Sequence, residues 1–154
     1  MRHWLLKSEP ATFGIDDLAA APGKTTAWDG IRNYQARNFI RDQIRPGDSA
    51  FLYHSSCAQP GIVGVARVTR GPFADVSAFD RRDPHYDPGS NRDQPRWFSF
   101  DIELKRRLRH VITLDALRTH QTAQLAGLML LRAGNRLSIT PVEEAHWRFI
   151  LTLE

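Results

Sequence analysis

The chain is organised around the stretch WDGIRNYQARN, residues 28–38. Its eleven residues combine an indole, a carboxylate, a phenol, side-chain amides and two arginines. A helix that packs on a core shows apolar residues at helical spacing from its first turn, and this stretch does not. Trp28 followed by Asp29 and Gly30 predicts instead a tight turn, which holds a large aromatic side chain just before a helix begins.

Two roles suit such a stretch equally well. A flat aromatic face next to amides and arginines is what recognition of a flat, hydrogen-bonding ligand such as a nucleobase requires. An aromatic side chain beside a turn is also typical of a core anchor, since aromatic residues are more often buried in cores than placed in sites. The residues of this stretch leave both interpretations open.

Length and composition indicate one globular domain spanning residues 1–154, with 42% apolar and 25% charged residues. No apolar run approaches the roughly 18 residues of a membrane span, and the first residues lack a signal-peptide pattern. Cys57 is the single cysteine, so no internal disulfide can form, and a reducing cytoplasm is the expected location. The net charge of +4 and the pI near 9.7 favour an anionic partner.

Hydrophobic patterning predicts short strands and helices in an order that suggests an α+β fold. The run from Arg96 onward alternates, with Phe98 and Phe100 predicted to face inward and Ser99 outward. Residues 71–95 form a long irregular segment of a kind that is usually functional. Because the central strands are joined without crossover helices, a small closed or nearly closed β-barrel with outer helices fits best. Strands are predicted at 3–7, 49–54, 61–70, 96–107 and 136–140. Helices are predicted after Gly14 and at 34–44, 114–118 and 122–131. A last helix is predicted after Thr140, with Thr140 as its N-cap and Pro141 in its first position.

Sequence motifs for catalysis or metal binding are sparse. Neither a Walker A sequence nor GxGxxG occurs, and the six histidines show no metal-binding spacing, so no cofactor and no metal are expected. The trio Lys7, Ser8 and Glu9 is more informative, because a partly buried lysine beside a hydroxyl and a carboxylate can act as a base. The same residues are also consistent with ordinary charges at a strand end.

Several segments together resemble the EVE domain family. They are KSEP at 7–10, IDDL at 15–18, WDGIRNYQARNF at 28–39, FLYHSSC at 51–57 and PGIVGVARV at 60–68, followed by PRW at 95–97 and LLRAGNRLSITPV at 130–142. The similarity covers essentially the whole chain in the same order. It implies a PUA-like fold, a twisted β-barrel of about five to six strands with peripheral helices, related to the YTH and ASCH domains.

The family resemblance also implies a pocket that accepts a modified base from a nucleic acid, with a modified cytosine in DNA favoured. The Trp28 ring is then expected to be partly exposed, with Ser8, Asn33 and His54 opening onto the same cavity. Arg37 and Arg41, in a basic stripe along the predicted helix, are expected either to contact flanking phosphates or to form a solvated face. The residues carried over to the base pocket are Lys7, Ser8, Trp28, Asn33, His54, Ser55, Tyr86, Arg96 and Trp97.

The function expected from these observations is a nucleic-acid-binding module that performs no catalysis. One alternative is an ASCH-like amidohydrolase that acts on modified nucleosides through Lys7. Another is an RNA-binding PUA-like module, which would bind without requiring a modification. No membrane partner is expected, and the location would be nucleoid-associated in a bacterium or nuclear in a eukaryote.

Overall fold

In the computed structural model, which describes residues 1–154, six strands form one mixed sheet in the order β2-β5-β4-β3-β1-β6. The strands are β1 His3–Ser8, β2 Thr25–Trp28, β3 Ser49–His54, β4 Gly61–Ala74, β5 Phe98–Thr113 and β6 Ile139–Val142. The α-helices are α1 Ile15–Ala20, α2 Tyr34–Asp42, α3 Leu114–Arg118 and α4 Glu144–Leu151, with short 3-10 helices at Pro22–Lys24, Val76–Phe79 and Met129–Leu131.

The first strand lies inside the sheet, parallel to β3 and antiparallel to β6. All the other pairs are antiparallel, and the long β4–β5 pair shifts register at several points, which increases the local twist. The predicted α+β class and twisted PUA-like architecture are confirmed. The sheet is not closed into a barrel, however, because its edge strands β2 and β6 do not pair with each other.

Both faces of the sheet are covered by helices, because successive side chains of a strand point to opposite faces. Trp4 and Leu6 of β1 pack in one core with α1 and α2. Leu5, between them, packs in a second core with Phe51 and the Trp147 ring of α4. No helix has both the length and the apolar character needed to cross a membrane.

Strand β2 is absent from the strands predicted from sequence, because its four residues include the polar Thr25 and Thr26. It is an edge strand whose Trp28 pairs with Phe100 of β5. The predicted outward position of Ser99 is also wrong. Its hydroxyl is buried and donates to the backbone oxygen of Trp28, 3.0 Å away, so that it anchors the end of β2 to the neighbouring strand.

The predicted helix at 122–131 is wrong. The segment consists of consecutive turns followed by the 3-10 helix at Met129–Leu131. Leu125 and Leu128 are buried as the pattern requires, but Gly127 adopts a φ of +85°, outside the range of a right-handed helix. The apolar spacing is therefore satisfied by a folded loop.

The predicted start of the last helix is also wrong. Glu143 is the N-cap residue, and Thr140, Pro141 and Val142 extend along β1 as part of β6. Proline is tolerated there because β6 is an edge strand and pairs only with β1. The capping signature after Thr140 is therefore overridden by strand pairing.

Candidate functional site

A cavity of about 430 Å³ lies between the end of β1 and strand β2, within the size range of small-molecule sites. The two strands contribute opposite walls, and the turn before α1 and the long loop after β4 contribute the rim. Its lining residues are Lys7, Ser8, Glu9, Thr12, Phe13, Thr26, Ala27, Trp28, Asp29, Ile31 and His85. We refer to this cavity as the Trp28 pocket.

The aromatic wall of the pocket consists of Trp28 and Phe13. Their ring centroids are 6.3 Å apart and their planes are nearly perpendicular, at 82°. Trp28 is only 8% exposed, so the expectation of a partly exposed ring is wrong. Pairing of β2 with β5 buries most of the indole in the first core, and the pocket meets only its remaining surface.

Three charged side chains at the pocket, those of Lys7, Glu9 and Asp29, lack an ionic partner within the chain. Burial lowers the pKa of the Lys7 ammonium, whose Nζ lies 5.9 Å from the centroid of the Tyr53 ring. Burial raises the pKa of the Asp29 carboxyl, and the nearby Asp75 carboxylate raises it further. Lys7 and Asp29 are therefore available to an incoming polar ligand.

His54 lies in a narrow cleft that adjoins the pocket and is also lined by Ser8, Phe13 and Trp28. Its Nε2 accepts a hydrogen bond from the backbone N–H of Ile15, 3.1 Å away, at the start of α1. Burial lowers the pKa of His54, which favours the neutral ring that this hydrogen bond requires. His54 therefore holds the start of α1 in place beside the pocket and does not line the pocket itself.

The long loop over the pocket is held by a buried carboxylate, Asp75. Its Oδ2 accepts from the backbone N–H of Gly30 at 2.9 Å and from Arg32 Nη1 at 3.0 Å. Arg32 Nη2 in turn donates to the backbone oxygen of His85, 2.7 Å away. Burial acts to raise the pKa of Asp75, but hydrogen bonds from Ser77, Gly30 and Arg32 outweigh it and hold the pKa below its usual value.

Gly30 is required by this arrangement for two reasons. Its φ of +76° lies in the left-handed region that side chains disfavour. A Cβ atom at this position would also lie 2.7 Å from Cε1 of His85, closer than side-chain contacts allow. The tight turn predicted at Asp29-Gly30 is not formed, since residues 29–33 contain no turn, but Gly30 still shapes the rim of the pocket and makes room for the His85 ring.

Of the nine residues expected in the base pocket, the structure brings Lys7, Ser8 and Trp28 into the cavity and His54 next to it. Asn33 lies outside, because its Oδ1 caps α2 by accepting from the N–H of Ala36 at 3.0 Å. Ser55 also lies outside, and its backbone N–H donates to the backbone oxygen of Ser8, 2.9 Å away.

The remaining three residues hold the long loop. The Trp97 indole N–H donates to Asp87 Oδ2 at 2.6 Å, and Arg96 forms an ion pair with the same carboxylate at 3.2 Å. Tyr86 lines a separate surface cavity formed by the loop itself. These residues thus belong to or contact the long loop whose His85 reaches the rim of the pocket, and none of the three lines the pocket.

Arg37 and Arg41, the predicted phosphate contacts, already have partners within the chain. Arg37 Nη1 donates to the backbone oxygen of Arg96 at 2.8 Å, and its guanidinium carbon lies 4.9 Å from the centroid of the Tyr34 ring. Arg41 is paired with Asp42 at 2.8 Å. Any phosphate contact by Arg41 therefore competes with an adjacent carboxylate.

Sequence reasoning missed several pocket residues. Asp29 belongs to the stretch first singled out, but was interpreted only as a turn former. Phe13, between Pro10 and the start of α1, carried a usable signal, because an aromatic residue beside a turn was already recognised as significant at Trp28. His85 carried no comparable signal, since only the path of the long loop brings it to the rim. The others missed are Thr12, Thr26, Ala27 and Ile31, whereas Glu9 was singled out only as a neighbour of Lys7.

Comparison with known proteins identifies the family. The family model described as EVE domain matches residues 2–153. The chain belongs to the EVE domain family. Among relatives of this EVE domain, thymocyte nuclear protein 1 of Rattus norvegicus is 43% identical over 166 residues, covering 99% of this chain and 73% of the relative.

Solved structures agree with this family assignment. The EVE domain is similar to the human THYN1 protein in complex with 5-methylcytosine-containing DNA, with a TM-score of 0.92 and 40% identity over 99% of this chain and 97% of that one. It is also similar to a protein of Pseudomonas putida, with a TM-score of 0.91 and 41% identity over 98% of each chain. The resemblance to the EVE domain family predicted from sequence is confirmed.

Proposed function

We propose that this EVE domain binds DNA and holds a modified cytosine, extruded from the strand, in the Trp28 pocket. The observation that carries the proposal is a cavity of about 430 Å³ walled by Trp28 and Phe13, with unpaired polar groups at its rim. The similarity to a relative in complex with 5-methylcytosine-containing DNA supports it. Extrusion of a base costs a few kcal/mol, and stacking on an aromatic side chain recovers about 1–3 kcal/mol.

Recognition of the base in this proposal depends on Asp29. A carboxylate accepts a hydrogen bond from the exocyclic amino group of cytosine, whereas thymine presents a carbonyl oxygen at the same position. Lys7 and Ser8 supply donors for the acceptor atoms of the base. Phe13 and Ile31 offer apolar surface to a methyl group. Arg37 and Arg41 stay predicted contacts to flanking phosphates, and a cytoplasmic location with access to DNA is part of the proposal.

One observation favours a second candidate function, hydrolysis of modified nucleosides. Lys7 lies at the pocket, and burial lowers its pKa, which brings the ammonium closer to a basic form at neutral pH. Against it, Lys7 forms no ion pair with the neighbouring Glu9, so no carboxylate is positioned to act together with it. Consumption of a modified nucleoside by the wild-type protein, lost in Lys7→Ala, would favour hydrolysis over binding.

The proposed function is tested with single-stranded oligonucleotides that differ at one base: cytosine, 5-methylcytosine or thymine. Cytosine against 5-methylcytosine isolates the methyl group, and 5-methylcytosine against thymine tests the exocyclic amino group together with the N3 acceptor. We expect the tightest binding for 5-methylcytosine. Asp29→Asn should reduce its preference over thymine, since one such base contact contributes about 1–3 kcal/mol of discrimination, or roughly 5- to 150-fold. Fluorescence anisotropy gives the affinities.

A matched control is Asp93→Asn, which makes the same change of charge at an exposed residue outside the pocket. It should leave the preference unchanged. Equal affinity of the wild-type protein for all three oligonucleotides would contradict the proposed pocket. Matching RNA oligonucleotides separate the RNA-binding alternative, which predicts affinity that does not depend on the modification.

A further inference from the structure

A second concave surface lies next to the Trp28 pocket, between the start of α2 and the loop that precedes β6. Its volume is about 340 Å³, and none of its lining residues is acidic. We call it the arginine groove. It is lined by Asn33, Gln35, Met129, Arg132, Ala133, Gly134, Asn135, Arg136 and Leu137.

The two arginines of the groove have no ionic partner. Arg132 and Arg136 are exposed, and neither forms any ion pair of the protein. Arginines elsewhere are often neutralised, as Arg41 is by Asp42 and Arg106 by Glu154. The arginine groove therefore carries two uncompensated positive charges with side-chain amides beside them.

The loop that carries these arginines is held in place by Asn135. Its Nδ2 donates to the backbone oxygen of Met129 at 2.7 Å, and its Oδ1 accepts from the N–H of Leu137 at 3.0 Å. Gly134 makes the turn with a φ of +75°, and Leu137 is buried in the first core. Both arginines thus extend from a backbone that is fixed before any ligand arrives, which lowers the entropic cost of binding.

The groove and the Trp28 pocket have no lining residue in common, but residues two positions apart in the chain line them. Ile31 lines the pocket and Asn33 lines the groove. Two residues along a chain span at most about 7 Å, so the two concave surfaces are neighbours. A nucleic acid strand with one base in the pocket can therefore place a neighbouring phosphate at the groove.

We propose that the arginine groove binds a backbone phosphate of the strand whose base occupies the Trp28 pocket. The inference rests on the proposed function, and it gives the protein a phosphate site formed by Arg132 and Arg136. The planar guanidinium group matches the geometry of a phosphate and donates two hydrogen bonds to it. Such contacts position the strand and do not distinguish one base from another.

The experiment measures DNA affinity against salt concentration for Arg132→Gln, Arg136→Gln and the double variant. Each oligonucleotide is used with and without 5-methylcytosine. We expect each substitution to weaken binding to both oligonucleotides by the same factor. The slope of log affinity against log salt should fall in magnitude by about 1 for each arginine removed. The preference for 5-methylcytosine should stay at the wild-type value.

Arg67→Gln is the matched control, because Arg67 is exposed on β4, forms no ion pair and lines neither the groove nor the pocket. It should leave the salt slope unchanged. A double variant with the wild-type slope, or with the slope of the control, would overturn the groove assignment while leaving the pocket intact. Loss of slope in a protein without any base preference would support the groove and overturn the pocket, and wild-type protein that binds no DNA would overturn both.

Discussion

At the scale of single residues, Trp28 serves the core and the pocket at once, so a test of its binding role has to separate the two. Trp28→Ala should reduce the free energy of unfolding by about 3–5 kcal/mol, as expected for a buried indole. Trp28→Phe keeps an aromatic ring in the core but removes the larger stacking surface. We expect it to fold and to bind the modified oligonucleotide up to about tenfold more weakly.

The second core supplies the control for this prediction. Trp147 is 8% exposed, the same fraction as Trp28, but it packs against His3 and Phe51 away from the pocket. Trp147→Phe should lower thermal stability by a comparable amount and leave oligonucleotide affinity unchanged. If both variants bound equally well, Trp28 would be a core residue only.

His54 is expected to make stability depend on pH. Its pKa is lowered in the folded protein by burial, against a weaker opposing effect of Asp16. The unfolded chain therefore binds the proton more readily. The stabilisation contributed by the neutral ring is complete above the unfolded pKa of about 6.5 and is lost as the pH falls through the folded value.

Urea unfolding between pH 5 and 8 measures this contribution. His54→Gln retains an acceptor for the N–H of Ile15 but does not titrate, so its stability should vary less steeply with pH than that of the wild type. His110→Gln, at an exposed position, should keep the wild-type slope. Parallel wild-type and His54→Gln profiles would show that His54 does not titrate differently on folding.

At the scale of elements, the connection between Asp75 and Arg32 fixes the long loop over the pocket. Asp75 is 1% exposed, and removal of one partner of a buried pair costs about 3–5 kcal/mol because the other charge is left uncompensated. We therefore expect Asp75→Ala to lower the free energy of unfolding by that amount and to weaken binding of the modified base. Chemical denaturation and anisotropy measure the two effects.

A neighbouring pair gives the comparison. Asp80 and Arg82 are joined at 3.3 Å, but both side chains are largely exposed, and such pairs contribute about 0–1 kcal/mol. Asp80→Ala should therefore change neither the free energy of unfolding nor the binding of the modified base appreciably. A similar small loss in Asp75→Ala would mean that the loop is held by its other contacts, such as that of Trp97 with Asp87.

The elements also show where sequence reasoning succeeded and where it failed. The strands β1, β3 and β4 could be predicted because their residues alternate or form short apolar runs. Strand β2 could not, because an edge strand presents polar residues to solvent and Thr25 and Thr26 resemble a loop. Residues 122–131 failed for the opposite reason, since buried leucines at helical spacing occur here in a series of turns.

At the scale of the whole molecule, the candidate site was predictable where neighbours in sequence form it. Ser8 and Trp28 could be chosen from the family resemblance and the character of their segments. The position of His85 and the contacts of Asp75 with Gly30 and Arg32 depend on how the loop between β4 and β5 folds back, and no local sequence pattern encodes that path. The arginines at 132 and 136 were overlooked because neither stands in a basic run, and only the turn at Gly134 brings both to one groove.

The place of β1 inside the sheet has a consequence for synthesis of the protein. Within this domain β1 is translated before the other strands, and it pairs on one side with β6, the strand translated last. Contacts between such distant parts of a chain slow folding, because the long intervening segment has to be closed into a loop first. During synthesis one edge of β1 therefore stays unpaired until β6 has been translated, and an unpaired strand edge makes a partly folded chain prone to aggregation.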